Sequence, residues 1–258
     1  MPAIEHGYVN LQINDNGVAI ISFFHPAQNA LPSDILAQLA KQIDFAGHQP
    51  QTRVIVLKSE GNRTFCAGAS FDELLQIQDK EAGAKFFSGF ANVINACRKS
   101  PKIIIGRVQG KAVGGGVGLA AAADYCIATE AASVKLSELA IGIGPFVISP
   151  AVIRKVGLPA FSQLTINATD FQSAQWAKEK GLYNDVYADI TTLDDAVNNL
   201  AEKLALYNPD ALNGLKQILW EGTGNWDDLL AERAAVSGEL VLSAFTQHAL
   251  QQFKAGNR

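Results

Sequence analysis

Three consecutive glycines, Gly114–Gly116, lie between a strand-like run and an alanine-rich stretch in the segment KAVGGGVGLAAAAD. Glycine inside a helix costs about 0.5–1 kcal/mol relative to alanine, so a triplet is poor material for a helix interior. At the first turn of a helix, glycine instead lets another group approach backbone N–H groups that have no intrahelical acceptor. The segment therefore predicts a strand, a tight turn and a short helix whose N-terminus faces either a ligand or another packed segment.

Strand-like and helix-like segments alternate through the first half of the chain. Val9–His25 predicts two strands joined by a turn at Asn14–Gly17, and an amphipathic helix is predicted from Pro32. A buried strand is predicted over Arg53–Ser59, and further strands precede and follow the glycine triplet. Such alternation is typical of crossover units and a mostly parallel sheet. After Ser137 the pattern is almost wholly helical, apart from a short strand in LYNDVYA.

The composition is that of an ordinary globular protein. Of the 258 residues 48% are hydrophobic and 18% are charged, and the formal net charge is −4. This balance argues against nucleic acid or an anionic membrane surface as the main partner. The three cysteines and four histidines show neither disulfide nor metal-ligand spacing, so we expect no metal. The first residues lack a secretory pattern and no apolar run could span a bilayer, so we expect a soluble, cytoplasmic protein.

The glycine-rich turn partly matches a nucleotide-binding loop, since Gly116–Ala121 satisfies the pattern GxGxxA. The next strand begins near Tyr125, which leaves too short a helix for a dinucleotide-binding unit, and no Walker loop is present. A second loop, RTFCAGASFDELL, also follows a buried strand and also places small residues, Ala67–Ser70, before a helix. Loops after neighbouring parallel strands open on the same edge of a sheet. The two loops could therefore hold one carbonyl oxygen between two backbone N–H donors.

Four segments, in matching order and spacing, resemble motifs of the crotonase, or enoyl-CoA hydratase/isomerase, family. They are HPAQNAL (His25–Leu31), FCAGASFDEL (Phe65–Leu74), VQGKAVGGGVGLAAAADYCIA (Val108–Ala128) and LSELAIGIGP (Leu136–Pro145). The resemblance implies an α/β fold with a ββα spiral core over residues 1–200. It also implies a helical C-terminal region over residues 201–258 that packs on the core and mediates assembly into a homotrimer or a dimer of trimers. The implied substrate is a coenzyme A thioester, with no other cofactor.

By position, the resemblance places the thioester oxygen between the backbone N–H groups of Ala69 and Gly115, which would stabilise an enolate. The family's two catalytic glutamates correspond to Gly118 and Glu138, so the first is missing here. Hydration usually divides its proton transfers between two carboxylates, whereas moving a proton between two carbons needs one base. We therefore expect Glu138, with its pKa raised by an apolar loop, to act in double-bond isomerisation. The alternative is that Glu138 is an ordinary first-turn residue of a helix capped by Ser137.

Further binding residues follow from the same motifs. The positions expected to surround the thioester and the coenzyme A nucleotide are Ala27, Asn29, Ala67, Ser70, Phe71, Gly114 and Phe146, with Val147 beside them in the acyl pocket. Family members often carry a basic residue where this chain has Ala27, so we expect a phosphate contact from Lys254 of a neighbouring subunit. Asp72 and Glu73 are candidate replacements for the missing acid, but we expect both to favour the first helical turn and face solvent.

Other functions stay open at this point. The fold also supports decarboxylation and hydration of an enoyl-CoA, including a branched methylglutaconyl-type CoA. A non-catalytic member that binds acyl-CoA or a protein partner is the alternative from another class. The acidic balance disfavours RNA binding.

Overall fold

The computed structural model describes residues 6–254, except for the side chains of residues 253 and 254. The strands are β1 (Tyr8–Ile13), β2 (Val18–Phe24), β3 (Ala30–Leu31), β4 (Val54–Ser59), β5 (Thr64–Cys66), β6 (Gly68–Ala69), β7 (Ile103–Val108), β8 (Lys111–Val113), β9 (Tyr125–Thr129), β10 (Val134–Lys135) and β11 (Asp185–Tyr187). The helices are α1 (Ser33–His48), α2 (Phe71–Leu74), α3 (Lys80–Lys99), α4 (Gly115–Ala122), α5 (Ser149–Ile166), α6 (Ala174–Glu179), α7 (Ile190–Ala205), α8 (Pro209–Leu219), α9 (Trp226–Leu240) and α10 (Ala244–Lys254), with a 3₁₀ turn over Glu138–Ile141.

The main sheet has six strands in the order β1-β2-β4-β7-β9-β11. β1 and β2 form the predicted antiparallel hairpin, and all the other neighbours are parallel. Nearly continuous apolar runs form β4 and β7, as expected for parallel strands covered on both faces. Alternate side chains point to opposite faces: Ile55 and Leu57 join the core beneath α1, α3 and α4, whereas Val54 and Val56 pack with α7.

A short strand and then a helix follow each long strand, and this repeat is the ββα spiral. β2, β4, β7 and β9 lead into β3, β5, β8 and β10 respectively. The short strands pair among themselves, as a sheet of order β10-β8-β5 and as the pair β3-β6. The predicted α/β spiral with a helical C-terminal region is confirmed. The loop predicted after β4 in RTFCAGASFDELL instead contains two short strands, because β5 and β6 form there by pairing with β8 and β3.

The C-terminal helices return to the core and close one side of it. α9 crosses α3 where Gly83 meets Gly238, so closely that a Cβ on Gly83 would lie 2.7 Å from the Cα of Gly238. On α10, the Thr246 hydroxyl donates to the Gly142 carbonyl at 3.1 Å, just beyond the 3₁₀ turn. The division predicted after residue 200 lies inside α7, which covers one face of the main sheet.

One buried charged network ties α8 to the end of α4. The Asp124 carboxylate accepts hydrogen bonds from Lys216 Nζ at 2.7 Å, Trp220 Nε1 at 2.6 Å and the Ile104 N–H at 2.7 Å. Lys216 also donates to the Cys97 carbonyl at 2.8 Å. Both charges are buried, so removing either side chain would leave the other charge buried without its partner and would destabilise the fold.

The cysteines are buried free thiols. Burial raises the pKa of Cys66, Cys97 and Cys126 to about 12, so none is an activated nucleophile at neutral pH. Within residues 6–254 no cluster of histidine, cysteine and acidic side chains has the arrangement of a metal site. Over the same residues, none of the helices combines the length and apolar character needed to cross a membrane.

Candidate active site

A cavity of about 730 Å³ lies between the turn at Gly68, the turn at Gly114, the 3₁₀ turn, α3 and α9. It brings together most of the residues singled out from the sequence: Ala27, Ala67, Ala69, Phe71, Gly114, Gly115, Glu138, Phe146 and Val147. Apolar residues from distant parts of the chain complete the lining, among them Phe86, Phe87, Phe90 and Ile148. The cavity is therefore largely apolar, with a few convergent polar groups, as is typical of a ligand site.

The two glycine-containing turns contact each other at the cavity. Gly68 has a φ of +94°, and a Cβ there would lie 3.3 Å from the Val113 carbonyl oxygen and 3.7 Å from the Gly115 nitrogen. Gly114 has a φ of +54° and donates to the Lys135 carbonyl at 2.8 Å, which anchors the turn before α4. Gly115 is the first residue of α4, so its N–H has no intrahelical acceptor and lies at the positive end of the helix dipole. Ala69 directly follows Gly68 and lines the same cavity.

Each glycine of the triplet has its own reason to lack a side chain. At Gly115 a Cβ would lie 2.7 Å from Cε2 of Phe90, because the Phe90 ring packs directly on the glycine. At Gly116 it would lie 2.9 Å from the Cβ of Cys66. At Gly114 it would lie 2.9 Å from Glu138 Oε1. The packing reading of the triplet therefore holds at Gly115 and Gly116, and the missing side chain at Gly114 leaves room for the Glu138 carboxyl group. The expectation that a ligand oxygen approaches this turn stays a prediction.

Glu138 begins the 3₁₀ turn, and its carboxyl group reaches the cavity beside Gly114. Its Oε2 atom is buried and has no hydrogen-bond partner among the described residues. Burial raises the pKa of Glu138 to about 7, although a backbone hydrogen bond partly opposes the shift. The alternative of a Ser137-capped helix is wrong, because Ser137 makes no side-chain capping bond and the turn is 3₁₀. A carboxyl group with one buried, unpartnered oxygen and a pKa near neutrality can both remove and return a proton.

Gly118, at the position of the missing glutamate, lies inside α4 and is buried. A Cβ there would lie 2.7 Å from the Cβ of Ile148, whose side chain fills this space and lines the cavity. Among the described residues that line the cavity, Glu138 is the only acidic one. At the position expected for the first glutamate, the cavity is therefore bounded by the aliphatic side chain of Ile148 rather than by another polar group.

Neither candidate replacement acid reaches the cavity. The Glu73 carboxylate accepts hydrogen bonds from the Ser33 N–H at 3.0 Å and the Ser33 hydroxyl at 2.6 Å. The expectation that Glu73 faces solvent is wrong, because this contact holds it half-buried between α1 and α2. Asp72 is exposed, as expected. Neither residue is part of the cavity lining.

Two of the predicted binding residues lie outside the cavity lining and hold the neighbouring turns through hydrogen bonds. Asn29 is buried, accepts a hydrogen bond from the His25 N–H at 2.8 Å and donates to the Glu60 and Thr64 carbonyls at 2.9 Å each. Ser70 accepts from the Glu73 N–H at 3.3 Å and caps α2. Neither residue is among those that line the cavity, so both position the turns that do. The predicted phosphate contact from Lys254 lies outside the described side chains.

Several lining residues were not predicted from the sequence. Phe86 and Phe90 are four residues apart on α3, a spacing that indicates only a buried helix face. Ile148 and Ser237 carry no local signal, because each meets the cavity through packing between elements far apart in the chain. Which apolar residues face Gly115 and Gly118 depends on the tertiary fold and cannot be inferred from neighbouring residues.

Comparisons with known proteins identify the family of the chain. The model of the family described as enoyl-CoA hydratase/isomerase matches residues 13–254. The chain is 31% identical over 204 residues to 2,3-dehydroadipyl-CoA hydratase of Escherichia coli (strain K12), covering 78% of each protein. It is 28% identical over 209 residues to the peroxisomal Delta(3,5)-Delta(2,4)-dienoyl-CoA isomerase of Arabidopsis thaliana, covering 74% of this chain and 72% of that protein.

A solved structure extends the likeness to nearly the whole chain. The crystal structure of an enoyl-CoA hydratase from Mycobacterium avium has a TM-score of 0.83 and 25% sequence identity, covering 99% of this chain and 98% of that one. Its similarity spans both the spiral core and the C-terminal helices. The chain therefore belongs to the enoyl-CoA hydratase/isomerase family of the crotonase superfamily, whose members are lyases or isomerases.

Proposed function

We propose that this protein isomerises the double bond of a β,γ-unsaturated acyl-CoA to the α,β position, with Glu138 as its single acid–base residue. One observation carries the proposal: the carboxyl group of Glu138, whose Oε2 atom is buried without a hydrogen-bond partner among the described residues, lies beside Gly114 in a cavity whose described lining contains no second acid. A single carboxyl group is enough for a proton shuttle between two carbons of one substrate.

The backbone turns supply the oxyanion site in this proposal. The N–H groups of Ala69 and Gly115 hold the thioester oxygen, and Gly115 adds the positive end of the α4 dipole. A donor of this kind stabilises the transition state by about 2.7–4 kcal/mol, because it is already oriented when charge develops on the oxygen. The apolar lining keeps water away and strengthens that interaction.

The proton path runs through one oxygen of Glu138. The carboxylate removes a proton from the α carbon, and the electron pair of that C–H bond delocalises onto the thioester oxygen to form a dienolate. The same proton then returns from Glu138 to the γ carbon, the double bond settles between the α and β carbons, and nothing is oxidised or reduced. A pKa of about 7 suits both steps at neutral pH, because the two protonation states are close in free energy.

Hydration is the second candidate, and the name of the Escherichia coli relative, 2,3-dehydroadipyl-CoA hydratase, favours it. That reaction needs a water positioned at the β carbon and a proton delivered to the α carbon. Ile148 occupies the space above Gly118, so in this proposal no second carboxylate orients the water. We therefore expect hydration to be slow relative to isomerisation.

Ala27, Ala67 and Phe71 line the cavity and would contact the coenzyme A portion of the thioester. We propose a homotrimer or a dimer of trimers in the cytoplasm, in which Lys254 of a neighbouring subunit contacts a phosphate. No cofactor other than the coenzyme A of the substrate is required by this chemistry.

The test incubates the purified protein with matched 2-enoyl-CoA and 3-enoyl-CoA thioesters and follows products by mass and by the absorbance of the conjugated thioester. Conversion of the 3-enoyl substrate without a change of mass supports isomerisation. Addition of water to the 2-enoyl substrate at the faster rate would overturn it in favour of hydration. No reaction with either thioester would also contradict the proposal.

A further inference from the structure

Three phenylalanines of α3 form one wall of the cavity beside the proposed reaction centre. Phe86, Phe87 and Phe90 all line it, and we call them the aromatic wall. The rings of Phe86 and Phe87 meet edge to face, with centroids 5.1 Å apart and an interplanar angle of 89°. Aliphatic side chains, including Ile143 and Ile148, complete this part of the lining. This chamber offers contacts for hydrocarbon rather than for polar groups.

Two close contacts of α3 flank the aromatic wall along the helix. At one end the Phe90 ring packs on Gly115, whose N–H is a proposed oxyanion donor. At the other end α9 crosses α3 at Gly83 and Gly238, and Ser237, beside this crossing, lines the cavity. Gly83 and Phe90 are seven residues apart on α3, a rise of about 10 Å. That distance suits an extended acyl chain of medium length.

Charge is nearly absent from the lining. Of the described residues around the cavity, Lys135 and Glu138 are the only charged ones. The Lys135 ammonium lies 4.5 Å above the ring of Phe171, which is 42% exposed and is not part of the lining, so this charge is held at the surface. A carboxylate at the far end of an acyl chain would meet aromatic rings and would repel ionised Glu138, and such desolvation without a partner is costly.

We propose that the acyl group of the substrate is an uncharged, medium-length hydrocarbon chain lying along the aromatic wall, and that acyl groups ending in a second carboxylate bind poorly. This proposal rests on the proposed function, because it assigns the substrate class of the same thioester site. It also separates the protein from its relative named 2,3-dehydroadipyl-CoA hydratase, whose name describes a dicarboxylic acyl group.

The first experiment measures binding, which does not depend on the reaction. Isothermal titration calorimetry compares hexanoyl-CoA with adipyl-CoA, a pair of equal chain length that differs at the terminal carboxylate. We expect hexanoyl-CoA to bind about 100-fold more tightly, because Lys135, the only cation of the described lining, is held at the ring of Phe171. A series from butyryl-CoA through octanoyl-CoA to palmitoyl-CoA should show affinity rising to octanoyl-CoA and no further.

A pair of variants then locates the far end of the chain. Ser237→Phe fills the cavity at the α9 end and should weaken octanoyl-CoA at least about 10-fold while leaving butyryl-CoA unchanged. Val236→Phe is the matched control, because it places the same side chain on the adjacent, 42% exposed position of α9, outside the cavity lining. The wild-type series decides the proposal even if Ser237→Phe does not fold.

The outcomes separate this proposal from the proposed function. Tight, length-dependent binding of octanoyl-CoA without isomerase activity supports the substrate class and removes the proposed reaction. Equal or tighter binding of adipyl-CoA overturns the substrate class, and loss of that binding in Lys135→Met would identify the responsible cation. Isomerase activity with affinity independent of chain length also overturns the substrate class while leaving the reaction in place. Failure of every acyl-CoA to bind overturns both.

Discussion

The side chain of Ile148 fills the space that a side chain at Gly118 would need. A Cβ added to Gly118 would lie only 2.7 Å from the Cβ of Ile148, well inside van der Waals contact. Both residues are buried, and Ile148 continues into the wall of the cavity. Packing therefore closes the position where the family resemblance predicts a first glutamate, and Glu138 is the single acid of the described lining.

Gly118→Ala should destabilise the protein by about 1–3 kcal/mol, because the added methyl group overpacks the contact with Ile148. Urea unfolding measures this cost. Ile148→Ala in the same chain should recover part of it, so that the two changes are strongly non-additive. Helix propensity acts in the opposite direction, and a gain of about 1 kcal/mol for Gly118→Ala would contradict the packing argument.

Glu138→Gln should lower turnover of a 3-enoyl-CoA by about 10²- to 10⁴-fold, since the amide cannot accept and return the proton. Binding of a saturated acyl-CoA should change little, because the cavity keeps its shape. Glu73→Gln is the matched control: Glu73 binds Ser33 and does not line the cavity. Equal losses in the two variants would mean that Glu138 acts through stability and not through proton transfer.

The pH profile of isomerisation should show one inflection near pH 7 on its acid side. Burial raises the pKa of Glu138 to about 7, so the carboxylate that removes the first proton is lost as the pH falls through that value. Values of kcat/KM measured from pH 5 to 9 test this pH dependence. An inflection near the ordinary pKa of glutamate would place the acting carboxyl group in a solvated environment and would contradict the role of buried Glu138.

Lys216→Met should destabilise the fold by about 3–5 kcal/mol, because it leaves the buried Asp124 carboxylate without its charged partner. Thermal unfolding followed by circular dichroism measures the effect. The double variant Lys216→Met with Asp124→Asn should be less destabilised than the sum of the two single variants, since it removes both charges. Simple additivity would show that the two side chains do not stabilise each other.

Much of the framework could be predicted from local patterns. The hairpin of β1 and β2, helix α1 and the buried strand β4 all lie where turn chemistry and hydrophobic periodicity indicate, because each pattern spans a few adjacent residues. The four family motifs also pointed to Ala69, Gly115 and Glu138, and the fold places all three at one cavity.

The details that define the chemistry of the cavity depended on contacts between distant segments. Strands β5 and β6 have three and two residues, and they exist because β8 and β3 provide their hydrogen-bond partners. Phe90 packs on Gly115, Ile148 packs on Gly118, and α9 packs on α3. No local sequence pattern predicts any of these three contacts. Periodicity specifies which face of an element is apolar, whereas the surface that this face meets is set by how the elements pack in three dimensions.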